Sequence, residues 1–83
     1  MRPNEQLFGD LYGFLTSLKS VNPQHVAMME ALNRGKWDVV HRFLTILVSY
    51  GQEYYLSQEQ TTAAGELAQR LDAWRRNGGK KNT

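Results

Sequence analysis

The chain has 83 residues, two prolines, no cysteine and a formal net charge of +2. This length fits one small domain, and the lack of cysteine excludes disulfides and thiolate metal sites as sources of stability. No apolar run approaches the roughly 20 residues of a transmembrane helix, and the N-terminal stretch lacks the features of a secretory signal. We therefore expect a cytoplasmic chain with no membrane partner, comprising one helical domain over residues 1–79 and a short disordered basic tail over residues 80–83.

The pattern of apolar residues predicts an all-α fold, a compact bundle of four helices over about residues 4–20, 23–34, 36–50 and 58–76. In the first helix the apolar residues recur at steps of four and three. They are Leu7, Leu11, Phe14 and Leu18, followed by Val21. The opposite side carries Gly9 and Gly13, which either allow a second helix to dock closely or form a poorly optimised solvent face.

The second helix is bounded by recognisable start and stop signals. Asn22 is a suitable N-cap, and Pro23 then occupies the first helical position, where its missing N–H costs no hydrogen bond. Gly35 suits the left-handed residue that closes a helix. The second helix is thus expected to end just before a tight glycine turn.

The third helix is apolar over most of its circumference, with Asp38, His41 and Arg42 on a narrow polar strip. We therefore expect it to be the most buried helix, or to be covered by a second subunit. Residues 51–56 are ambiguous between helix and loop. Ser57 caps the start of the fourth helix and together with Gln60 fits a capping box.

The turn into the third helix resembles two repeat families. Gly35-Lys36-Trp37-Asp38, with Val40 and Phe43, resembles the turn and second helix of a tetratricopeptide repeat, and residues 35–44 also resemble the second helix of an ankyrin repeat. The tetratricopeptide likeness implies a groove that binds a peptide or a helix. Because one stretch fits both families, we interpret it as a helical hairpin closed by a glycine turn.

Side chains that could perform chemistry are few. His25 and His41 lie sixteen residues apart, which does not match the spacing of a metal-binding helix. His41 beside Asp38 and Arg42 could orient an imidazole for acid–base chemistry, but a surface ion pair next to a partly exposed histidine is the commoner arrangement. The glycine-rich and nucleophile motifs of common enzymes are not in the sequence. We predict no enzyme activity, no catalytic residue, no metal and no cofactor.

Large amphipathic side chains favour a role in contacting other proteins. Tyrosine and tryptophan bury much area with few rotatable bonds, and methionine adapts to irregular partners. We predict a small non-enzymatic, regulatory protein–protein interaction module of adaptor, chaperone or inhibitor type, which also forms a homodimer. The predicted partner-binding residues are Tyr50, Tyr54, Tyr55, Met28 and Trp37. The three tyrosines, clustered around Gly51, are the ones expected near the surface.

The alternative prediction is an accessory nucleic-acid-binding protein. Residues 1–69 contain five basic and seven acidic residues, whereas residues 70–83 contain five basic residues and one acidic residue. A basic end of this kind can contact phosphates in a salt-dependent way, although cations at the end of a helix also simply complement its dipole. The candidate phosphate contacts are Arg70, Arg75, Arg76, Lys80 and Lys81.

Overall fold

A computed structural model describes residues 4–77 and folds them as a bundle of four α-helices. The helices are α1 (Glu5–Ser17), α2 (His25–Asn33), α3 (Trp37–Ser49) and α4 (Gln58–Arg76), and a 3-10 turn (Gly51–Tyr54) connects α3 to α4. No strand occurs within the described residues, so the prediction of an all-α bundle of four helices is confirmed. The predicted tail over residues 80–83 lies outside them.

The four helices pack in a ring, in which each helix contacts the next along the chain and α4 closes against α1. The most extensive pairing is α3 with α4. Asn4, the N-cap of α1, and Leu7 in its first turns lie beside Ala73 and Trp74 of α4, so these two helices run antiparallel. The 3-10 turn therefore lies at the same end of the bundle as the connection between α1 and α2.

The core is built from apolar side chains that recur every three or four residues on each helix. At the end of the bundle opposite the 3-10 turn, the ring of Trp37 packs edge-on against Phe8 and Trp74, with centroid separations of 6.3 and 5.6 Å. The buried apolar residues are Leu7, Leu11, Leu15, Leu18, Met28, Ala31, Leu32, Trp37, Val40, Leu44, Leu47, Ala64, Leu67, Ala68, Leu71 and Trp74.

The start of α4 and the end of α2 follow the sequence signals. The Gln60 N–H donates to the Ser57 hydroxyl at 3.1 Å and the Ser57 N–H donates to the Gln60 side chain at 2.8 Å, which completes the predicted capping box. At the end of α2, Gly35 adopts a φ of 71° and the Lys36 N–H donates to the Ala31 carbonyl at 2.9 Å. This is the Schellman closure that glycine favours.

The connection between α1 and α2 is longer than predicted. α1 ends at Ser17 and not at residue 20, and α2 begins at His25, so the prediction that Pro23 is its first residue is wrong. The buried side chain of Asn22 accepts a hydrogen bond from the Gln24 N–H at 2.8 Å. Asparagine forms such turns with the residue two positions on, and here the turn occupies the place of the first helical residues.

The third helix is buried to about the same extent as the second. Four of the 13 residues of α3 are buried, against three of nine in α2. Because α3 occupies one position in a ring, only one stripe of it faces the core. Val39, Phe43 and Ile46 are half-buried, and Val48 is exposed.

Candidate functional site

The segment that the sequence left open forms a second helical closure. The Tyr55 N–H donates to the Gln52 carbonyl at 3.1 Å and the Leu56 N–H donates to the Gly51 carbonyl at 3.0 Å. Tyr55 lies in the left-handed region, with φ 59° and ψ 33°. These are the same two hydrogen bonds and the same conformation as at Gly35, with tyrosine in the position of glycine.

This position is unfavourable for a tyrosine. A residue with a β-carbon loses roughly 1–2 kcal/mol in the left-handed helical region, a cost that glycine avoids. Tyr55 is also 85% exposed, which is the largest exposure of any large apolar residue in the described part of the chain. Contacts with the core therefore do not offset the cost. Residues held in such conformations cluster at functional sites, so Tyr55 is the first candidate for a role outside the fold.

The other two predicted tyrosines flank the same turn. Tyr50 follows the last residue of α3 and is 54% exposed. Tyr54 is half-buried and packs against the core. We call Tyr50, Tyr54 and Tyr55 the tyrosine cluster; it presents two accessible rings beside one that is anchored.

The other two predicted partner-binding residues, Met28 and Trp37, lie in the core and not at the surface. Met28 is fully buried, and Trp37 is buried between the rings of Phe8 and Trp74. Neither side chain is accessible to a partner at the surface of this fold. The position of Met28 four residues before Leu32 on α2 is the sequence signal that indicates a place on its core stripe.

An open groove of about 490 Å³ lies between the end of α3, the 3-10 turn and the start of α4. We call it the corner groove. Its lining residues are Val48, Ser49, Gly51, Gln52, Glu53, Leu56, Gln58 and Thr61. The mixture of two aliphatic side chains with amides and hydroxyls suits a peptide, whose backbone needs hydrogen bonds and whose side chains need apolar contact. The sequence did not reveal this groove, because its residues come from three separate segments.

Gly51 brings the 3-10 turn close to α4. A β-carbon added at Gly51 would lie 2.7 Å from the Thr61 hydroxyl oxygen, which is closer than real side chains approach. Thr61 is held in place by its hydrogen bond to the Ser57 carbonyl at 3.0 Å. Glycine at residue 51 thus lets the turn form one wall of the corner groove.

The glycines of α1 face open space. A β-carbon at Gly9 or Gly13 would meet no atom within 4 Å, so no described part of this chain docks closely against them. They border a second groove, of about 350 Å³, between α1 and α4. Asp10 and Arg70 form an ion pair at 2.9 Å at its edge.

Only some of the basic side chains near the C-terminus are without a carboxylate partner among the described residues and so available to bind phosphates. Arg70 is paired with Asp10, and Arg76 is paired with Asp72 at 3.3 Å. Arg75 is exposed and forms no ion pair with another described residue. The last two candidates of the alternative prediction, Lys80 and Lys81, lie outside the described residues.

The histidines are not drawn together into a site. His41 is half-buried and lines neither of the two grooves above. Among the described residues, no three histidine, aspartate or glutamate side chains are placed to share a metal ion. Nor does any helix in the described part of the chain have the length and apolar character needed to cross a bilayer. The prediction that the chain is not an enzyme stays a prediction.

Together, the fold and the site define a small all-α bundle that presents exposed tyrosines and an adjoining groove at one end. No protein-family model matches the chain, and no curated protein or solved structure matches it significantly. Its function is therefore inferred from the geometry of the site.

Proposed function

We propose that this chain is a non-enzymatic protein–protein interaction module that binds its partner with the tyrosine cluster and the corner groove. The observation that carries this proposal is Tyr55, a tyrosine in a left-handed conformation whose side chain is 85% exposed. The left-handed conformation of Tyr55 costs free energy that packing of its ring does not offset. This is consistent with a side chain that is retained for contact with another molecule.

The chemistry of the site supports binding over catalysis. Tyrosine rings are typical anchors of interfaces, and truncating such an anchor commonly costs about 2 kcal/mol or more of binding free energy. The groove beside the rings supplies hydrogen-bonding groups and two aliphatic contacts, Val48 and Leu56. An anchor next to a shallow polar groove is the arrangement expected of an adaptor, a chaperone or an inhibitor.

Capture of partners by variant proteins tests the proposal. The bait variant Tyr50→Ser with Tyr55→Gly removes both accessible rings and relieves the strained backbone. The control variant Tyr12→Ser removes a ring of similar exposure, 48%, from α1. We expect proteins that are enriched on the wild-type chain to be lost with the double variant and kept with the control, as measured by quantitative mass spectrometry of captured proteins. Equal recovery on all three baits would contradict the proposal.

Compartment and oligomeric state belong to the same proposal. We place the module in the cytoplasm and expect it to form a homodimer that needs no cofactor. The half-buried side chains Val39, Phe43 and Ile46 on α3 give a second copy an apolar strip to cover. The mass in solution measured by light scattering over a range of concentrations tests the dimer, and a monomeric mass throughout would refute it.

Nucleic-acid binding through the basic end stays the alternative prediction. No observation on the described residues favours it, since Arg70 and Arg76 already have carboxylate partners. Its signature is an affinity that falls steeply as salt rises.

A further inference from the structure

We infer that the partner segment bound at the corner groove is basic, and that it places an arginine or lysine side chain between Glu53 and the ring of Tyr55. This inference rests on the proposed function and specifies the chemistry of the partner. It is carried by the charge of the corner, the exposed rings and the position of the chain's own cations.

The corner has carboxylates that lack partners. Residues 43–69 contain three glutamates and no lysine, arginine or histidine. Of the residues that line the groove, Glu53 is the one with a charge. Glu59, in the first turn of α4, is also exposed. Neither Glu53 nor Glu59 forms an ion pair with another described residue, whereas the three ion pairs of the described chain all lie on other parts of the bundle.

Among the described residues, one lysine and no arginine lies at the same end of the bundle. Lys19, in the connection between α1 and α2, is exposed and does not line the groove. The two carboxylates, Glu53 and Glu59, therefore outnumber the local cations, and the field at the groove favours a positive ligand.

The tyrosine rings add a second preference for a cation. A guanidinium or ammonium group over the face of a tyrosine gains about 0.5–1 kcal/mol at an exposed site. Arginine also forms paired hydrogen bonds with a carboxylate, so one side chain can satisfy Glu53 and stack on Tyr55 together. The amides of Gln52 and Gln58, which also line the groove, remain for the peptide backbone.

The basic end of the same molecule cannot supply this ligand. α4 begins at Gln58 and separates the corner from Arg75 and Arg76 by about 26 Å. A second copy could offer its basic end only in a head-to-tail contact, which repeats without closing and leads to open assemblies. We therefore assign the basic segment to a different protein.

Titration with defined peptides tests this inference. The probe is a nonapeptide of alternating arginine and serine, and the matched control peptide has glutamine in place of arginine. We expect the arginine peptide to shift the amide resonances of residues 48–61 in nitrogen-15 spectra and to bind about fivefold more tightly than the glutamine peptide. Its affinity should fall as salt is raised.

Matched variants locate the contact. Glu53→Gln and Tyr55→Asn should each weaken binding of the arginine peptide about threefold or more, since each removes one of the two attractions. Asparagine is used at residue 55 because it tolerates the left-handed conformation. Glu5→Gln removes an exposed carboxylate from the first turn of α1, at the opposite end of the bundle, and should leave the affinity unchanged.

Three results would overturn the inference. The first is equal affinity for the two peptides, and the second is a set of shifts outside residues 48–61. The third concerns the mass of the wild-type chain in solution. If this mass rises with concentration, and the rise is lost when residues 78–83 are deleted, the basic segment comes from a second copy. Capture that depends on the tyrosines while the arginine peptide fails would leave the proposed function standing and refute only the basic partner.

Discussion

Gly35 and Tyr55 occupy the same left-handed position at the end of a helical segment, and they differ in what the position costs. At Gly35 the closure is favoured by the backbone, and at Tyr55 it is opposed by the β-carbon. Because the Tyr55 ring is exposed, the fold gains little from it. Substitutions of Tyr55 that raise the stability of the fold are then expected to weaken binding of the partner.

Replacing Tyr55 by glycine should stabilise the chain. Tyr55→Gly removes the clash of the β-carbon with its own backbone, and we expect the free energy of unfolding to rise by about 0.5–1 kcal/mol. Urea denaturation measures the change, with an unchanged dependence on denaturant showing that the unfolded state is the same. Tyr55→Ala, which keeps the β-carbon, is the control and should be close to neutral. A loss of stability in the glycine variant would show that the ring supports the fold.

The contact of Gly51 with Thr61 predicts a coupled pair of substitutions. Gly51→Ala places a methyl group against the Thr61 hydroxyl and should cost about 1–2 kcal/mol of unfolding free energy. In a Thr61→Ala background the obstructing atom is gone, so the same substitution should cost much less. A double-mutant cycle measures this coupling, expected at about 1 kcal/mol. Additive effects would mean that the glycine is needed for another reason.

α1 contains two interior glycines that lower its helix propensity and make no close contact within the described chain. Gly9 and Gly13 lie in its interior, and neither is approached by another described segment. Alanine is favoured over glycine in a helix interior by about 0.5–1 kcal/mol. The two glycines therefore either serve a contact outside this chain or are tolerated.

The substitutions Gly9→Ala and Gly13→Ala distinguish these possibilities. We expect each to raise the free energy of unfolding by about 0.5–1 kcal/mol, measured by thermal and urea denaturation, and the double variant to be close to additive. Partner capture should be unchanged, because the tyrosine cluster lies elsewhere. Stabilisation combined with loss of a captured protein would instead assign that face to a docking helix.

The sequence predicted the elements better than their packing. The capping box at Ser57 and the closure at Gly35 were predictable because they depend on a few adjacent residues. The late start of α2 was missed because Asn22 can cap a helix or form a turn, and the choice depends on tertiary packing around its buried side chain. The sequence left open whether the surplus apolar face of α3 is buried in the bundle or covered by a second subunit, because periodicity cannot tell how many neighbours a helix will have.

For the candidate site too, features that depend on adjacent residues were predictable and features that depend on tertiary packing were not. Tyr50 and Tyr55 were found as exposed candidates because they cluster around Gly51 in a segment without clear periodicity. Trp37 was misplaced because an aromatic residue at an interface and one in a core share the same composition signal. The corner groove depends on three chain segments meeting, and no local pattern contains that information.

The two ends of the bundle are chemically different. One end is closed by the edge-on rings of Phe8, Trp37 and Trp74, and the other carries the tyrosine cluster and its carboxylates. The C-terminal end of α4, with Arg75 and Arg76, lies at the aromatic end. The tyrosine cluster and the basic end are therefore separate surfaces of the molecule.

This separation makes the two candidate functions independent of each other. Replacing Arg75, Arg76, Lys80 and Lys81 by glutamine should leave capture through the tyrosine cluster unchanged. Any binding to a single-stranded oligonucleotide, measured by fluorescence anisotropy at two salt concentrations, should be abolished, because phosphate contacts supply sequence-independent affinity. The double variant Tyr50→Ser with Tyr55→Gly is the reciprocal control and should do the opposite. If the glutamine variant loses the protein partner while the tyrosine variant keeps it, the basic end is the functional surface, because the tyrosine end lies about 26 Å away and would not respond to that charge at physiological salt.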